Sequence, residues 1–301
     1  MAPPERRTRM VRAATGNALK NGELVAALLE CGWRPTRHLA IPRELTPESL
    51  ATVAPILERQ VSGGLAWFRI RNTELAAHPA TEPLKNAHRY YILRARLMQE
   101  HLLKAVAYLR EHGVEPVLAK GWALARLYPE PGLRPYGDVD LLVVPSQMPA
   151  ARKAQIAPGA GEGPLARVEL HEGFNELRDR DPGDLLDRSV TAELDGISIR
   201  ILPPEDHLRL LCLHALEHGL ARPLWLCDLG VFLESLPEEF DWGHFTRGEP
   251  WLNDGVRCAL GLARKLLGVD LEEAGVPEGL RQPPLPSWLV PAALRALGAE
   301  A

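Results

Sequence analysis

The spacing of apolar and polar positions divides the chain into three stretches of different character. Residues 17–112 carry apolar side chains at helical spacing, which predicts helices over 17–31, 46–61, 67–78 and 83–112. We expect Gly63-Gly64 to end the second of these helices and Gly113 to end the fourth. The stretch that follows contains short apolar or alternating runs, which are typical of strands. From Leu202 the helical spacing returns and predicts helices over 203–218, 222–235 and 251–267. The pattern therefore predicts an α+β fold in which a small mixed β-sheet is flanked by two helical regions.

We accordingly divide the chain into an N-terminal helical region (1–112), an α/β core (113–202) and a C-terminal helical region (203–301). Residues 1–12 are basic and lack periodicity, and we expect them to be a disordered or fraying terminus. The Pro-rich segment 283–291 is expected to lead to a short terminal helix. No function is assigned to it. The 301 residues leave room for one large domain or two modest ones.

Within the core, four segments have the character of strands. They are Val117–Ala119, Asp138–Val144, Arg167–His171 and the two runs of residues 191–201, which flank Asp195-Gly196. An Asp-Gly pair between two alternating runs is the strongest short-range signal for a β-hairpin. The Gly-rich run 157–164 neither follows a strand nor opens a helix, so it is interpreted as a linker and not as a phosphate loop.

Composition narrows the class of protein. The formal charge of −4 and the pI near 6.2 argue against a long nucleic-acid partner, because proteins that coat nucleic acid are usually basic. The sequence has no apolar run of eighteen residues and no apolar segment after its basic start, so neither a membrane span nor a secretory signal is expected. The four cysteines are scattered and fit reduced thiols, which favours a cytoplasmic protein.

The candidate chemistry lies at the start of the second core strand. Side chains alternate along a strand, so Asp138 and Asp140 are expected to share one face, roughly 6.5–7 Å apart. Two carboxylates at this spacing can converge on a pair of metal ions. The alternative interpretation is a solvated turn with an Asx cap. The D-x-D spacing alone does not choose between them.

The wider context of these aspartates carries a family resemblance. Residues 118–143 contain a strand, a glycine turn, a helix, a Pro/Gly loop and then G-D-V-D, and they read L-A-K-G-W-A-L-A-R-L-Y-P-E-P-G-L-R-P-Y-G-D-V-D-L-L-V. This order resembles the active-site core of the polymerase-β-like nucleotidyltransferase superfamily. More narrowly, it resembles an uncharacterised bacterial family of nucleotidyltransferases. The resemblance implies an enzyme that moves a nucleoside monophosphate from an NTP donor to a small-molecule or peptide acceptor and releases pyrophosphate.

The resemblance also implies roles for particular residues. Asp138 and Asp140 would hold two Mg²⁺ (or Mn²⁺) ions, and Glu169 would be the third carboxylate, which also accepts the proton of the acceptor. The remaining nucleotide-binding residues would be Lys120, Gly121, Arg134 and His171. Lys120 and Gly121 would contact the phosphates, Arg134 would neutralise charge on the leaving pyrophosphate, and His171 would orient the acceptor or a carboxylate. Because Glu169 and His171 lie on one face of a predicted strand, the alternative for them is a pair on an exposed sheet face.

One position departs from the superfamily pattern. Trp122 stands where the glycine turn usually has Ser or Gly, and this motivates a second hypothesis, a nucleotide-binding module without turnover. A third hypothesis is a phosphotransferase on the same fold. The sequence contains neither G-x-x-x-x-G-K-[ST] nor the H-R-D and D-F-G motifs of kinases, which weighs against the third hypothesis.

Both helical regions contain polar residues that could belong to a site. Cys212, His214, His218 and Cys227 invite a zinc interpretation, but Cys212 projects from nearly the opposite helix face to His214. We therefore expect His214, His218, Trp225 and Asp228 to pack against the core or to place the nucleotide base. In the N-terminal region we expect solvated side chains on a segment that can form one wall of a substrate cleft, namely His88, Arg89, Arg94 and His101.

Overall fold

The computed structural model describes residues 4–30, 42–156, 163–220 and 222–299. Most of the Gly-rich run 157–164 and Cys31 lie outside the described residues. The N-terminal region contains the helices α1 (Pro4–Leu28), α2 (Pro47–Arg59), α3 (Gly63–Ile70) and α4 (Glu82–Glu111). The expectation of a disordered or fraying terminus is wrong for residues 4–12, because α1 begins at Pro4, and residues 1–3 lie outside the described residues. Glu, Arg, Met and Ala dominate this segment, and all four are strong helix formers.

The predicted helix over 67–78 was misplaced, because α3 spans Gly63–Ile70 and only a short 3₁₀ turn follows, at Glu74–Ala77. The Gly63-Gly64 pair was taken to end a helix, and it starts one instead. The reason is tertiary: a Cβ on Gly64 would lie 2.7 Å from the carbonyl oxygen of Gly132. Glycine is required there for close approach and does not mark a break in the helix.

The core contains β1 (Val117–Ala119), α5 (Gly121–Ala125), β2 (Val139–Leu142), α6 (Met148–Gln155), β3 (Val168–His171), α7 (Pro182–Asp187), β4 (Val190–Leu194) and β5 (Ile197–Ile201). The sheet order is β3-β2-β1-β5-β4. Strands β1 and β2 and strands β4 and β5 pair antiparallel, whereas β2 pairs parallel with β3 and β1 parallel with β5. The small mixed sheet predicted from the sequence is therefore confirmed, as is the hairpin, which turns at Asp195-Gly196.

The two faces of the sheet are covered by different helices. Leu118, Val139 and Leu141 point toward the second half of α4 and toward α6. Val117, Ala119 and Leu142 belong instead to a larger core that is shared by the N-terminal and C-terminal helices. Because side chains alternate along a strand, Asp140 points to the second face. The candidate site therefore faces the C-terminal helices.

The C-terminal region contains α8 (Pro204–Glu217), α9 (Pro223–Glu234), α10 (Trp242–Phe245), α11 (Pro250–Leu267), α12 (Glu278–Arg281) and α13 (Leu289–Leu297). Helix α13 packs against α1, so the two ends of the described chain meet. Helix α8 lies between the sheet and α11, and its buried residues include the polar side chains of Glu205, Asp206, His207 and Arg209. Across the described part of the chain, we find no helix of the length and apolarity needed to cross a membrane.

One group of buried charges fixes α8 to its surroundings. We define the Asp206 cluster as Asp179, Arg180, Arg188, Glu205, Asp206 and Arg209. Asp206 is fully buried and accepts hydrogen bonds from Arg180 Nε at 2.8 Å and Arg188 at 2.6 Å. The guanidinium groups of Arg180 and Arg209 also donate to backbone carbonyls of the segment around α10. The cluster therefore ties α8 to the segment before α7 and to α10.

Candidate active site

The parallel pairing of β2 and β3 brings three potential ligands together. Asp140 and Glu169 are register partners, and His171 lies two residues further along β3. His171 Nε2 is 3.1 Å from Asp140 Oδ1 and 3.9 Å from Glu169 Oε2. One ligand atom from each of the three residues falls within 4.8 Å of the other two. Two carboxylates and an imidazole at this spacing form a group that can hold a divalent cation.

Asp138 lies beside this group but is not part of it within the described residues. Strand pairing starts at Val139, whose N–H donates to the carbonyl of Arg167, so Asp138 belongs to the irregular segment before the strand. Its side chain is exposed and lines the same cavity as Asp140. The geometry thus places His171 next to the carboxylates, and a ligand role for Asp138 stays a prediction.

Asp140 is held in its charged form. Burial alone would raise the pKa of this carboxyl, but the hydrogen bond with His171 and the charge of Lys120 outweigh it, so the pKa is lower than usual. Lys120 Nζ is 3.9 Å from Asp140 Oδ2 and lies over the ring of Phe174, 5.9 Å from its centroid. The Lys120 amine therefore faces the carboxylate side of the cavity, where the resemblance predicted a phosphate contact.

The turn between β1 and α5 has a strained backbone. Lys120 and Gly121 have φ values of 55° and 44°, in the left-handed region where only glycine is comfortable. The Lys120 N–H donates to Nε2 of His207 at 3.2 Å. The Gly121 carbonyl accepts a hydrogen bond from Arg134 at 3.1 Å. Strain of this kind persists only where neighbouring groups fix the backbone.

We define the turn network as His207, Arg134, Asp228 and Tyr128. His207 and Arg134 form hydrogen bonds with the Lys120-Gly121 turn, Asp228 pairs with Arg134, and Tyr128 donates to Asp228. Arg134 donates to both carboxylate oxygens of Asp228, at 2.8 and 2.9 Å, and Tyr128 donates to one of them at 2.8 Å. Asp228 is only 1% exposed, so of its two predicted roles the structure shows packing against the core. Arg134 supports the turn through these bonds. Its predicted contact with pyrophosphate stays a prediction.

His207 had no recognisable signal in the sequence. It is buried in α8, 87 residues from its partner Lys120, and it contacts the ring of Phe232 edge-on. Burial, together with the charges of Arg134, Arg126 and Lys120, lowers the pKa of His207 to about 3. The imidazole is therefore neutral at physiological pH. Because its Nε2 accepts the Lys120 N–H, its proton is on Nδ1.

Trp122, the departure from the superfamily pattern, does not intrude on the site. Its side chain is buried in the core between the sheet and α4. Within the described residues it lines a separate small cavity of about 160 Å³ and is not among the residues lining the large one. The observation that motivated a module without turnover therefore has a structural explanation, because the indole points away from the Gly121 backbone.

The turn and the carboxylates open into a cavity of about 1090 Å³. One wall comes from α4, through Tyr90, Tyr91 and Arg94. This confirms that the N-terminal segment can form a wall, but corrects the expectation that Arg94 is simply solvated. His88 was also expected to be solvated and is buried, with Nε2 3.0 Å from Glu130. Amphipathic spacing cannot separate solvent from a cavity, because both accept polar side chains.

The opposite wall comes from α8, α9 and the segment after β3. Its polar and aromatic side chains include Glu176, His214, His218, Arg222 and Trp225. The cysteines of the zinc interpretation are not part of it, because Cys212 and Cys227 are fully buried in the helical core. No sequence pattern pointed to Glu176, which accepts a hydrogen bond from His214 at 2.8 Å.

Comparison with known proteins agrees with this geometry. The sequence model of one protein family, described as an uncharacterised nucleotidyltransferase, matches residues 51–268, more than two thirds of the chain. The chain belongs to this nucleotidyltransferase family. The matched segment runs from within α2 to the end of α11 and contains the whole sheet and the residues that line the cavity. No curated protein and no solved structure matches the chain.

Proposed function

We propose that this nucleotidyltransferase moves a nucleoside monophosphate from an NTP to an acceptor and releases pyrophosphate, as a bacterial member of the polymerase-β-like superfamily. One observation carries the proposal: Asp140, Glu169 and His171 converge beside the strained Lys120-Gly121 turn, in one cavity. Carboxylates bind metal ions, and a glycine turn with a lysine binds phosphates, so a metal–nucleotide complex fits this juxtaposition.

The residues present fit a divalent metal ion, because Asp140 is buried and charged and has Glu169 and His171 beside it. These three side chains would hold one ion, and Asp138 at the cavity edge would help to hold a second. Mg²⁺ and Mn²⁺ suit the carboxylates, and the imidazole favours Mn²⁺ of the two. When bound, such ions supply positive charge that stabilises the phosphate oxygens in the transition state.

The protein groups have separate tasks in the proposed reaction. Lys120 binds a phosphate oxygen as a point charge, and the absence of a side chain at Gly121 lets the phosphates approach the backbone. The carboxylate of Glu169 is 63% exposed toward the cavity, so it can orient an acceptor group and take its proton. Most of the rate enhancement then comes from positioning and charge neutralisation.

The acceptor in this proposal is a small molecule or a peptide. The cavity is about 1090 Å³, which is at the upper end of the size of small-molecule sites and leaves room for a second substrate beside the NTP. The negative formal charge of the chain does not favour a long nucleic acid. One wall contains two tyrosines and Arg94 and the other contains two histidines and Trp225, so the two walls suit two different substrates.

The test is thermal stability of the protein with ATP, CTP, GTP or UTP, each with and without Mg²⁺ or Mn²⁺. We expect at least one NTP to stabilise the wild type only when metal is present, because ligand binding to the folded state raises stability. An Asp138→Asn/Asp140→Asn double variant should lose this shift. Glu172→Gln is the matched control, since Glu172 follows His171 but is exposed and paired with Arg152.

Turnover is tested by pyrophosphate release during acceptor screening with the NTP that binds. We expect Asp140→Asn to reduce the rate at least about 100-fold, because removing a preorganised group that acts on transition-state charge costs 10²–10³. Unchanged pyrophosphate release in Asp140→Asn would contradict the proposal. Release of inorganic phosphate or a nucleoside diphosphate in place of pyrophosphate would identify the phosphotransferase alternative.

A further inference from the structure

The wall formed by α8 and α9 contains a cluster of aromatic rings. His214 and His218 are one helical turn apart, with ring centroids at 4.4 Å. The indole of Trp225 lies 5.3 Å from His214 and 5.2 Å from His218. The guanidinium of Arg222 is 5.6 Å from the indole centroid. We define the ring wall as His214, His218 and Trp225. All three line the large cavity, and none contributes to the metal-binding group.

The ring wall is held in place by Glu176 and lines the same cavity as the Lys120-Gly121 turn. Glu176, whose side chain is 9% exposed, accepts a hydrogen bond from His214 Nδ1 at 2.8 Å and so sets the orientation of that ring. The Lys120 amine acts electrostatically on Glu176 as well as on Asp140. Lys120 Nζ is 3.9 Å from Asp140 Oδ2, and Lys120 lines the same cavity as Glu176 and the ring wall, so a ligand bound by its phosphates at the turn shares that cavity with the rings.

We propose that the ring wall is the nucleobase subsite of this enzyme, where the heteroaromatic base of the NTP stacks on Trp225 between His218 and Arg222. The proposal rests on the proposed nucleotidyl transfer. Rings are the chemistry that recognises a base, because every nucleobase has a π face, and a cationic side chain over an indole adds to the attraction. Stacking tolerates different bases because every base has a π face, so the ring wall fits more than one base.

The α4 wall is left for the acceptor in this arrangement. It presents two tyrosines and Arg94, whose Nε and Nη1 donate to the Tyr136 carbonyl and to the Tyr90 hydroxyl. These groups lie on the side of the Pro135–Gly137 segment, whereas the rings lie on the side of Glu176. The two substrates would therefore approach the metal-binding strands from opposite walls.

The experiment distinguishes the contribution of the base to binding from that of the phosphates. Calorimetry with Mn²⁺ measures the Kd of ATP and the Kd of inorganic tripolyphosphate for wild type, Trp225→Leu and Trp225→Phe. Loss of one base–aromatic stack weakens binding by at least about five-fold. We expect Trp225→Leu to lose this factor for ATP and to change the Kd of tripolyphosphate less than about two-fold. Trp225→Phe, which keeps a ring, should retain more of the ATP affinity.

Two further variants test whether a loss of binding is caused by a general loss of structure. His218→Ala removes an exposed member of the ring wall and should weaken ATP binding without affecting tripolyphosphate binding. Trp251→Leu removes a tryptophan that is 54% exposed on α11 and outside the cavity, and it should change neither Kd. Unchanged ATP binding in both ring-wall variants would overturn the inference, as would equal losses of ATP and tripolyphosphate affinity.

Failure of this inference and failure of the proposed function give different results. If the ring-wall variants bind ATP like wild type while the Asp138→Asn/Asp140→Asn variant does not, the base lies elsewhere and nucleotidyl transfer stands. If wild-type protein binds tripolyphosphate and ATP equally well, the enzyme has no base subsite and the inference is overturned. If wild-type protein binds neither of them, nor any other NTP with either metal, the proposed function itself fails.

Discussion

The C-terminal helices carry two groups of buried charges that are chemically alike and differ in what they touch. In the turn network, Arg134 is paired with Asp228, and the same guanidinium holds the carbonyl of Gly121. In the Asp206 cluster, Arg180 and Arg188 are paired with Asp206. Nη2 of Arg180 donates to backbone carbonyls in α10 and just after it. The described residues that line the cavity include Arg134 but no member of the Asp206 cluster.

This difference separates two uses of a buried ion pair. Such pairs are weak evidence for net stabilisation, because desolvation offsets much of the attraction, but removing one partner is expensive. The Asp206 cluster locks helices to one another, so its loss should appear as lost stability. The turn network fixes a strained backbone that faces the cavity, so its loss should appear as lost binding in addition to lost stability. Mutations in the two groups should therefore differ in their effect on binding.

The largest effect on stability is expected for Asp206→Asn. The variant leaves Arg180 and Arg188 without their shared carboxylate at a site with no solvent exposure. Breaking a buried pair costs about 3–5 kcal/mol, and denaturant unfolding should show a loss of this size in the free energy of unfolding. The Kd for the bound NTP, measured on folded protein, should change little. A strong loss of NTP affinity with intact stability would contradict a purely structural role for the Asp206 cluster.

The second effect is expected for Asp228→Asn. It removes the charge that holds Arg134 and weakens the acceptor of the Tyr128 hydroxyl. We expect a loss of about 2–3 kcal/mol in the free energy of unfolding, because the removed hydrogen bonds were to a charged group. Unlike Asp206→Asn, it should also weaken NTP binding, since the Gly121 carbonyl loses a fixed donor. NTP affinity equal to wild type would show that Arg134 does not position the turn.

A smaller loss of stability is expected for His207→Phe. The ring is retained against Phe232, but the buried N–H of Lys120 loses its acceptor, which costs about 1–3 kcal/mol. The strained turn should then relax and weaken NTP binding. His207→Gln is the matched control, because its side-chain oxygen can accept the same hydrogen bond and should recover part of the affinity. Equal affinities for the Phe and Gln variants would contradict a positioning role.

The smallest effect concerns the pair of Glu176 and His214, which lies at the cavity wall and whose side chains are more exposed than those of Asp206 and Asp228. Burial would raise the pKa of Glu176, but the hydrogen bond from His214, a backbone hydrogen bond and the charges of Lys120 and His214 together outweigh it, so the pKa is lower than the usual 4.5. The carboxylate therefore adds stability above about pH 4.5, and this contribution is lost as the pH falls through the lowered pKa.

Glu176→Gln makes this pH dependence measurable. At pH 7 we expect the variant to be less stable than wild type by about 1 kcal/mol, a modest cost because the pair borders solvent. The difference should shrink as the pH falls below 4.5, where the wild-type carboxylate also becomes protonated. Denaturant unfolding at pH 7 and at several values below 4.5 measures it. A difference that grows toward low pH would show that the sign is wrong.

The local sequence determined much of the fold and part of the site. The apolar run Val117–Ala119, the Asp195-Gly196 turn and the Gly113 helix end were all predicted, because strands, I′ turns and left-handed caps depend on a few neighbouring residues. The strands that contain Asp140 and Glu169 were also predicted from the local sequence. That the two carboxylates share one site was implied by the family resemblance.

Only the tertiary structure decided the rest of the site. His207 binds the Lys120 N–H from 87 residues away, Asp228 holds Arg134 from 94 residues away, and no local pattern encodes such contacts. Gly63-Gly64 was misread because the requirement for glycine comes from another segment, at Gly132. Sequence patterns report the periodicity of one element. Which buried polar group pairs with which is set by how the elements pack, because an unpaired group at that position would be costly.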